Sequence, residues 1–262
     1  MTQITLITGA SCGLGLELAR QIATQGTPLI LTGRNLERLL LIQNELSKYC
    51  DVKIIKADLN NQIERKVILD EIEKKKPTLI INSAGIGFYG EAFRSSVDEL
   101  MKMVQTNIDA LTEISLLGTK VMKQNSIQGT VMNISSAAAF FDYPLFAIYS
   151  ASKAYVIRLS QSLDAELAPH GIRVLVCCPG QISTEFRAKA ARGIQSTTNK
   201  SIVMSVSKAA TLIIKQIKNK KGFQIIDLKY KILVMISKFF IPKIIIQKIL
   251  RSEIQKRLSL RQ

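Results

Sequence analysis

A doubly wound α/β fold, a parallel sheet flanked by helices, follows from three features of this 262-residue chain. Short Ile/Val/Leu runs without polar alternation recur along it, as in parallel strands buried on both faces. Longer amphipathic stretches separate these runs, and strand–helix alternation with right-handed crossovers builds such a sheet. The first run passes directly into a glycine-rich turn and then a helical pattern, the arrangement that places ligands at the carboxyl ends of the strands.

Taken in order, the apolar runs predict strands at 4–7, 29–32, 53–56, 79–82, 129–134, 173–177 and 224–226. The stretches between them predict helices at 13–25, 35–48, 62–76, 97–123 and 149–168. In the third helix Ile63, Val67 and Ile72 are expected on one side, with Glu64, Lys66 and Lys74 on the other. A further helix starts at Ser205 and carries Val206, Ala209, Leu212, Ile213 and Ile217, with Gly222 before the last strand. Residues 185–204 break the alternation. They are small, polar and basic, and they are read as a substrate lid loop over the carboxyl ends of the strands. The catalytic domain is expected to span 1–227, with 228–262 as a helical extension of that single domain.

Composition narrows the function. Hydrophobic residues make up 47% of the chain and charged residues 21%, which suits a globular protein and excludes a disordered one. Cys12, Cys50, Cys177 and Cys178 form no CxxC pair, which argues against a disulfide scaffold or structural zinc and suits a reducing, cytoplasmic compartment. His170 is the sole histidine, so no His-based metal site is expected, and it reads as a surface residue near a helix end rather than a base. No leader is expected ahead of the first strand, and no window of 18 apolar residues is free of charge, so no membrane span is expected.

The net charge of +16 is unevenly spread. Residues 200–262 hold 15 Lys/Arg against Asp227 and Glu253, whereas residues 1–199 are close to neutral at +3. Within the extension, 228–240 and 243–258 read as two helices split at Pro242. The first sets Ile232, Ile236, Phe239 and Phe240 beside Lys231 and Lys238. The second sets Ile245, Ile246, Ile249, Leu250 and Ile254 against Lys248, Arg251, Lys256 and Arg257. Basic amphipathic helices can lie on an anionic membrane surface, and they can equally cover a pocket or a subunit contact with their charges in water. Both readings stay open at this point. A nucleic-acid partner is not expected, because no recognition motif or aromatic stacking pattern accompanies the charge.

Two constellations carry chemistry. The first is the turn Thr8-Gly9-Ala10-Ser11-Cys12-Gly13-Leu14-Gly15 between strand and helix. Glycines there permit close backbone approach to a pyrophosphate at a helix N-terminus. The second is Tyr149 and Lys153, four residues apart and so on one helix face. An ammonium near a phenol favours the phenolate and is expected to lower the tyrosine pKa, fitting it to exchange a proton with a substrate oxygen.

The spacing Thr-Gly-x-x-x-Gly-x-Gly resembles the short-chain dehydrogenase/reductase family, and other motifs fall in that family's order. Asn82-Ser83-Ala84-Gly85 follows the fourth strand, Asn107 lies in the next helix, and Asn133-Ile134-Ser135-Ser136 ends the fifth strand. Tyr149-Ser150-Ala151-Ser152-Lys153 and Pro179-Gly180-Gln181-Ile182-Ser183-Thr184 come next, and the resemblance runs over roughly residues 2–226. It implies a Rossmann-like sheet and an oxidoreductase that interconverts a carbonyl and a secondary alcohol. Ser136, thirteen residues before Tyr149, is implied as the hydroxyl bonding both the carbonyl and the tyrosine, in preference to Ser135. Lys153 tunes Tyr149, and Asn107 holds a water that links the lysine to solvent.

The resemblance also implies the coenzyme contacts: Gly9, Ser11, Cys12, Gly13, Leu14 and Gly15 in the turn, and Asn82, Ala84 and Gly85 after the fourth strand. Tyr149 and Lys153 join them, with Pro179, Gly180, Ile182 and Thr184 around the nicotinamide. Asp58 is implied for the adenine amino group, with Leu59 beside the ring. Gly33 stands where NAD-preferring relatives carry Asp, and Arg34 follows it. An arginine there accommodates the 2′-phosphate of NADP, so NADPH is the expected coenzyme. Cys12 occupies a position where some NADP-preferring relatives have a cation. The expected substrate is a small apolar carbonyl or alcohol, and the expected assembly a homo-oligomer. The alternative is a catalytically idle dinucleotide-binding regulator or membrane-associated scaffold.

Overall fold

The computed structural model describes residues 3–191 and 203–259. Among them the strands β1 (Thr5–Thr8), β2 (Leu29–Gly33), β3 (Val52–Lys56), β4 (Leu79–Asn82), β5 (Thr130–Ile134), β6 (Arg173–Cys178) and β7 (Phe223–Ile225) form one sheet in the order β3-β2-β1-β4-β5-β6-β7. Every neighbouring pair is parallel, with Leu6 opposite Ile30 on one side and Ile80 on the other. The strands β1, β2 and β5 are buried along their whole length, which is why they carry no polar alternation.

Helices α1 (Gly13–Ala23), α2 (Leu36–Leu46) and α8 (Val206–Lys218) belong to one face, where Leu18, Ile22, Leu39, Ile42 and Ile213 join a core with Ile7, Ile81 and Leu175. Helix α3 (Gln62–Lys75), the long helix after β4 and α6 (Ala147–Leu167) lie on the other, around Leu6, Ile80, Val131 and Val174. Side-chain caps set several starts. Asn35 accepts from the Arg38 amide, Asn61 from those of Ile63 and Glu64, and Ser205 from that of Lys208.

Two expectations need correction. In α3 the inward face is Ile68 and Ile72, while Ile63 and Val67 are exposed. The phase was hidden because the same face buries charge. Arg65 forms a bidentate pair with Glu113 at 2.6 and 3.1 Å and donates to the Leu59 carbonyl, and Glu71 pairs with Lys53 at 2.6 Å. The helix expected at 97–123 is α4 (Val97–Val104) and α5 (Leu111–Gln124), joined by a π-helical turn over Gln105–Ala110 that contains Asn107. Such single wide turns often mark functional positions in helices.

The C-terminal helices are α9 (Leu228–Phe240) and α10 (Lys243–Ser259), with the short α7 (Phe186–Ala190) between β6 and α8. Buried Asp227 caps α9 by accepting from the Lys229 amide. No described helix is long and apolar enough to cross a membrane. Residues 192–202 of the expected lid loop lie outside the described residues. The near side of that segment is pinned to the fold, with Met204 paired to Gln181 and Ser183 through backbone bonds of 2.9 and 3.0 Å.

Candidate active site

The strand order reverses between β1 and β4, and a cavity of about 620 Å³ opens above the carboxyl ends there. That volume is in the range of cofactor and substrate sites, and the switch point of an open α/β sheet is where such sites form. Its floor is the turn from β1 into α1, contributed by Gly9, Ser11, Cys12, Gly13, Leu14 and Gly15.

The backbone of this turn leaves no room for side chains. Gly9 has φ +67°, and a β-carbon on it would stand 2.7 Å from the Ala84 Cα. A β-carbon on Gly15 would overlap the Gly9 carbonyl oxygen. The first turn of α1 has no side-chain cap and no acidic residue, so its free amides and positive dipole end favour an anion. A cradle bare of β-carbons beside an uncapped helix start fits a dinucleotide pyrophosphate. Gly15→Ala is expected to cost about 1–3 kcal/mol through overpacking, and to abolish coenzyme binding. Thermal melting and coenzyme titration check this, and a variant that binds coenzyme normally would show that the turn has slack.

Above the floor, Ala84 and Gly85 line the cavity, held by the Thr8 hydroxyl, which accepts from the Ser83 and Ala84 amides at 3.2 Å each. Arg34, Asp58 and Leu59 line one end. A β-carbon on Gly33 would come within 2.9 Å of Ser11 Oγ, so this position cannot carry a carboxylate side chain without rearrangement. Pro179, Gly180, Ile182 and Thr184 line the other side, Thr184 Oγ1 accepting from the Phe186 amide at 3.4 Å. Asn82 is placed differently from the expectation. Its buried side chain does not line the cavity but donates to Asn133 Oδ1 at 2.8 Å and Ser115 Oγ at 3.1 Å, tying β4 to β5 and α5.

The side chains expected to be catalytic meet where β5 ends and α6 begins. The Ser136 hydroxyl is hydrogen-bonded to the Tyr149 hydroxyl and accepts from the Ala138 amide at 3.1 Å. Neighbouring Ser135 points elsewhere, donating to the Lys153 carbonyl at 2.7 Å and so fixing α6 to β5. Lys153, 4% exposed, donates from Nζ to the Ile134 carbonyl at 3.0 Å. Asn107 is wholly buried and its side chain is committed. Oδ1 accepts from the Ile86 amide, and Nδ2 donates to the Ile86 carbonyl and to Ser152 Oγ. Through these bonds the side chain clamps the strand-to-helix segment against α6.

The electrostatics also differ from expectation. Burial raises the Tyr149 pKa above that of an ordinary phenol, and the Ser136 hydrogen bond offsets only part of that rise. Burial pulls Lys153 down to about 8. The ammonium lies 5.7 Å from the tyrosine ring centroid and bonds the Ile134 carbonyl, so it does not outweigh desolvation of the phenol. At neutral pH the site holds a neutral phenol beside a lysine still mostly protonated, a pairing suited to proton donation.

Sequence reasoning allowed for the tail as a pocket cover but missed the aromatic wall. Tyr149 stacks on Phe146 with ring centroids 4.2 Å apart and lies 5.5 Å from Phe186, while Tyr89 packs on Phe146. The aromatic positions 143 and 146 immediately ahead of Tyr149 were the available signal. The C-terminal helices supply the rest. The Tyr230 ring covers Gly180, Leu233, Ile246 and Leu250 line the cavity, and Ile254 is fully buried against the aromatic cluster. Burial of one such side chain contributes about 1.5–3 kcal/mol, so α10 is held against the sheet-bearing part of the chain.

Also unforeseen is a charged corner beside Cys12. Lys189 Nζ lies 3.9 Å from Cys12 Sγ and 2.9 Å from Glu185, which also meets Arg38 at 3.3 Å. The two cations hold the Glu185 carboxyl below its ordinary range.

Comparisons with known proteins agree with this geometry. The family model described as short chain dehydrogenase matches residues 3–195. The mouse 17-beta-hydroxysteroid dehydrogenase type 3 is 32% identical over 188 residues, 70% of this chain and 61% of that protein. The chain thus spans about three fifths of the length of that relative. Sulfoacetaldehyde reductase 2 of Chromohalobacter salexigens is 30% identical over 202 residues, covering 76% of this chain and 80% of that protein. A solved short-chain dehydrogenase from Sphingobium yanoikuyae in complex with NADPH superposes with a TM-score of 0.82 at 27% identity, covering 90% of this chain and 94% of that one.

Proposed function

The chain belongs to the short-chain dehydrogenase family, an oxidoreductase family, and on that premise we propose that it reduces an apolar ketone or aldehyde to the alcohol with NADPH. The observation that carries this reading is the Ser136–Tyr149 hydrogen bond beside buried Lys153 at the inner end of the cavity. A catalytically idle dinucleotide-binding scaffold has no use for this set.

The residues divide the work as follows. The glycine turn and the start of α1 receive the pyrophosphate, Asp58 and Leu59 the adenine, and Thr184 the carboxamide. The nicotinamide, when bound, supplies the hydride. Ser136 donates a hydrogen bond to the substrate carbonyl, orienting it and stabilising charge that develops on its oxygen. Tyr149 gives that oxygen its proton, and Lys153 steadies the phenolate left behind and passes a proton back. Asn107 positions the 86–107 contact on which Lys153 and Gly85 rest. The walls from Phe146, Phe186, Tyr230 and Leu250 exclude water and favour a bulky apolar substrate. The name of the mouse relative, a hydroxysteroid dehydrogenase, points the same way.

Support for NADPH over NADH comes from the corner at Arg34. Position 33 carries no acid, Arg34 lines the cavity, and Lys189 reaches the Cys12 position from α7. Arg34→Ala is expected to weaken NADPH binding about 10- to 100-fold, the worth of a charge-assisted pair, and to leave NADH nearly unchanged. Fluorescence titration of both coenzymes tests this. Equal weakening would remove Arg34 from recognition of the 2′-phosphate.

A further inference from the structure

The tail helices do two things at once. Their inner side closes the cavity, while their outer side remains apolar and exposed. On α9, Leu228, Ile232 and Ile236 recur at four-residue spacing with Met235 beside them, and all are exposed. On α10, Ile244, Ile245 and Ile249 are exposed as well. Leu233 and Ile249 belong to both surfaces, exposed outside and lining the cavity inside, so the cavity opens at this apolar face.

Cations surround that face. Residues 228–262 carry nine Lys/Arg and a single acid, Glu253, which lines the cavity. Lys231, Lys248 and Arg251 are exposed on the same two helices, and Lys243 pairs with Asp142 at 3.6 Å on the surface. A second copy of this chain would bring positive charge against positive charge. An exposed apolar face rimmed by cations is complementary to an anionic bilayer, whose acyl layer takes the side chains and whose headgroups take the charges.

We propose that the α9–α10 face docks on an anionic phospholipid bilayer, and that the cavity draws a lipophilic carbonyl compound from it through the gap beside Leu233 and Ile249. The docking stands on the face alone, while the delivery of substrate rests on the carbonyl-reducing function proposed above. A ligand dissolved in the acyl layer would pass from lipid to Tyr149 along apolar walls without crossing bulk water.

Sedimentation of the full chain with vesicles tests the docking. Vesicles of phosphatidylcholine with phosphatidylglycerol are expected to carry the protein down in low salt, and phosphatidylcholine alone much less. The triple variant Lys231→Gln/Lys248→Gln/Arg251→Gln is expected to lower partitioning about 100-fold, at roughly fivefold per cation. The variant Ile232→Ser/Ile236→Ser/Ile245→Ser is expected to lose binding that survives high salt. Turnover on a water-soluble ketone serves as the control for folding of both variants. A lipophilic ketone held in anionic vesicles is expected to be reduced faster by the wild type than by either variant. Wild type that stays in the supernatant, or binds neutral and anionic vesicles alike, overturns the docking. So does a concentration-dependent dimer that the isoleucine variant abolishes without any lipid binding, since the face would then join two copies. Lipid binding with no turnover on any ketone would instead sustain the docking and remove the proposed reaction.

Discussion

Tyr149→Phe is expected to lower carbonyl reduction by about 10²- to 10⁴-fold, the range for loss of a positioned general acid. The ring itself is packed between Phe146 and Phe186 at centroid distances of 4.2 and 5.5 Å, and phenylalanine fills the same space. The hydroxyl is the group removed, and with it the hydrogen bond to Ser136. Ser136 keeps the Ala138 amide as a partner, so no buried polar atom is stranded there. NADPH affinity and melting temperature are therefore expected to stay near wild type. A fall in turnover matched by an equal fall in coenzyme affinity would make Tyr149 a binding residue rather than the proton donor.

The second large effect is at Lys153. Lys153→Met is expected to lower turnover by about 10²-fold or more, through loss of the cation that stabilises the phenolate. The pH profile separates this from simple damage. Alcohol oxidation requires Tyr149 as base, and burial already raises its pKa. The Lys153 cation that opposes this is present only below about pH 8, so wild-type carbonyl reduction is expected to fall as pH rises through 8, and the methionine variant to lose that limb of the profile. Stability is expected to move the opposite way to activity. In the wild type the folded lysine titrates at about 8, below its unfolded value, so the folded state binds this proton more weakly than the unfolded chain. The penalty, about 3 kcal/mol at full burial, is present below pH 8 and is relieved as pH rises from there towards the unfolded pKa. Methionine removes the penalty and leaves the Ile134 carbonyl without its donor, so the variant should melt no lower than wild type at pH 7. A variant with normal turnover and an unshifted profile would place Lys153 outside the proton transfer.

Much of the fold was legible because its signals are local. Unalternating runs such as 29–32 and 79–82 can only be comfortable with helices over both faces, and the turn from Thr8 to Gly15 has one structural use at that place. Tyr149 and Lys153 were legible as a pair from helix periodicity, whereas Ser136 was picked out over Ser135 only by the family resemblance. What stayed hidden depends on contacts made at long range. Tyr149, whose pKa burial raises, is packed in one cluster with Phe186, Tyr89 and Ile254 of α10, which adjacency in sequence does not reveal. The two hydrogen bonds of Asn107 to Ile86 depend on a wide turn that hydropathy does not encode. The inward face of α3 was misread because Arg65 and Glu71 are buried through partners 48 and 18 residues away. The charge of the tail left two roles open in the sequence; the structure places the inner side of α9 and α10 along the cavity, and the exposed outer side is the basis of the docking proposed above.

The central claim is that this cavity transfers hydride from NADPH to a carbonyl carbon while Tyr149 protonates the oxygen. Purified protein would be given NADPH deuterated at nicotinamide C4 with bulky ketones, hydroxysteroid precursors among them, and the products weighed by mass spectrometry. The account predicts an alcohol carrying one deuterium on the carbinol carbon, formed by wild type and nearly absent with Tyr149→Phe. Product without the label, or labelled product formed equally well by Tyr149→Phe, would contradict it.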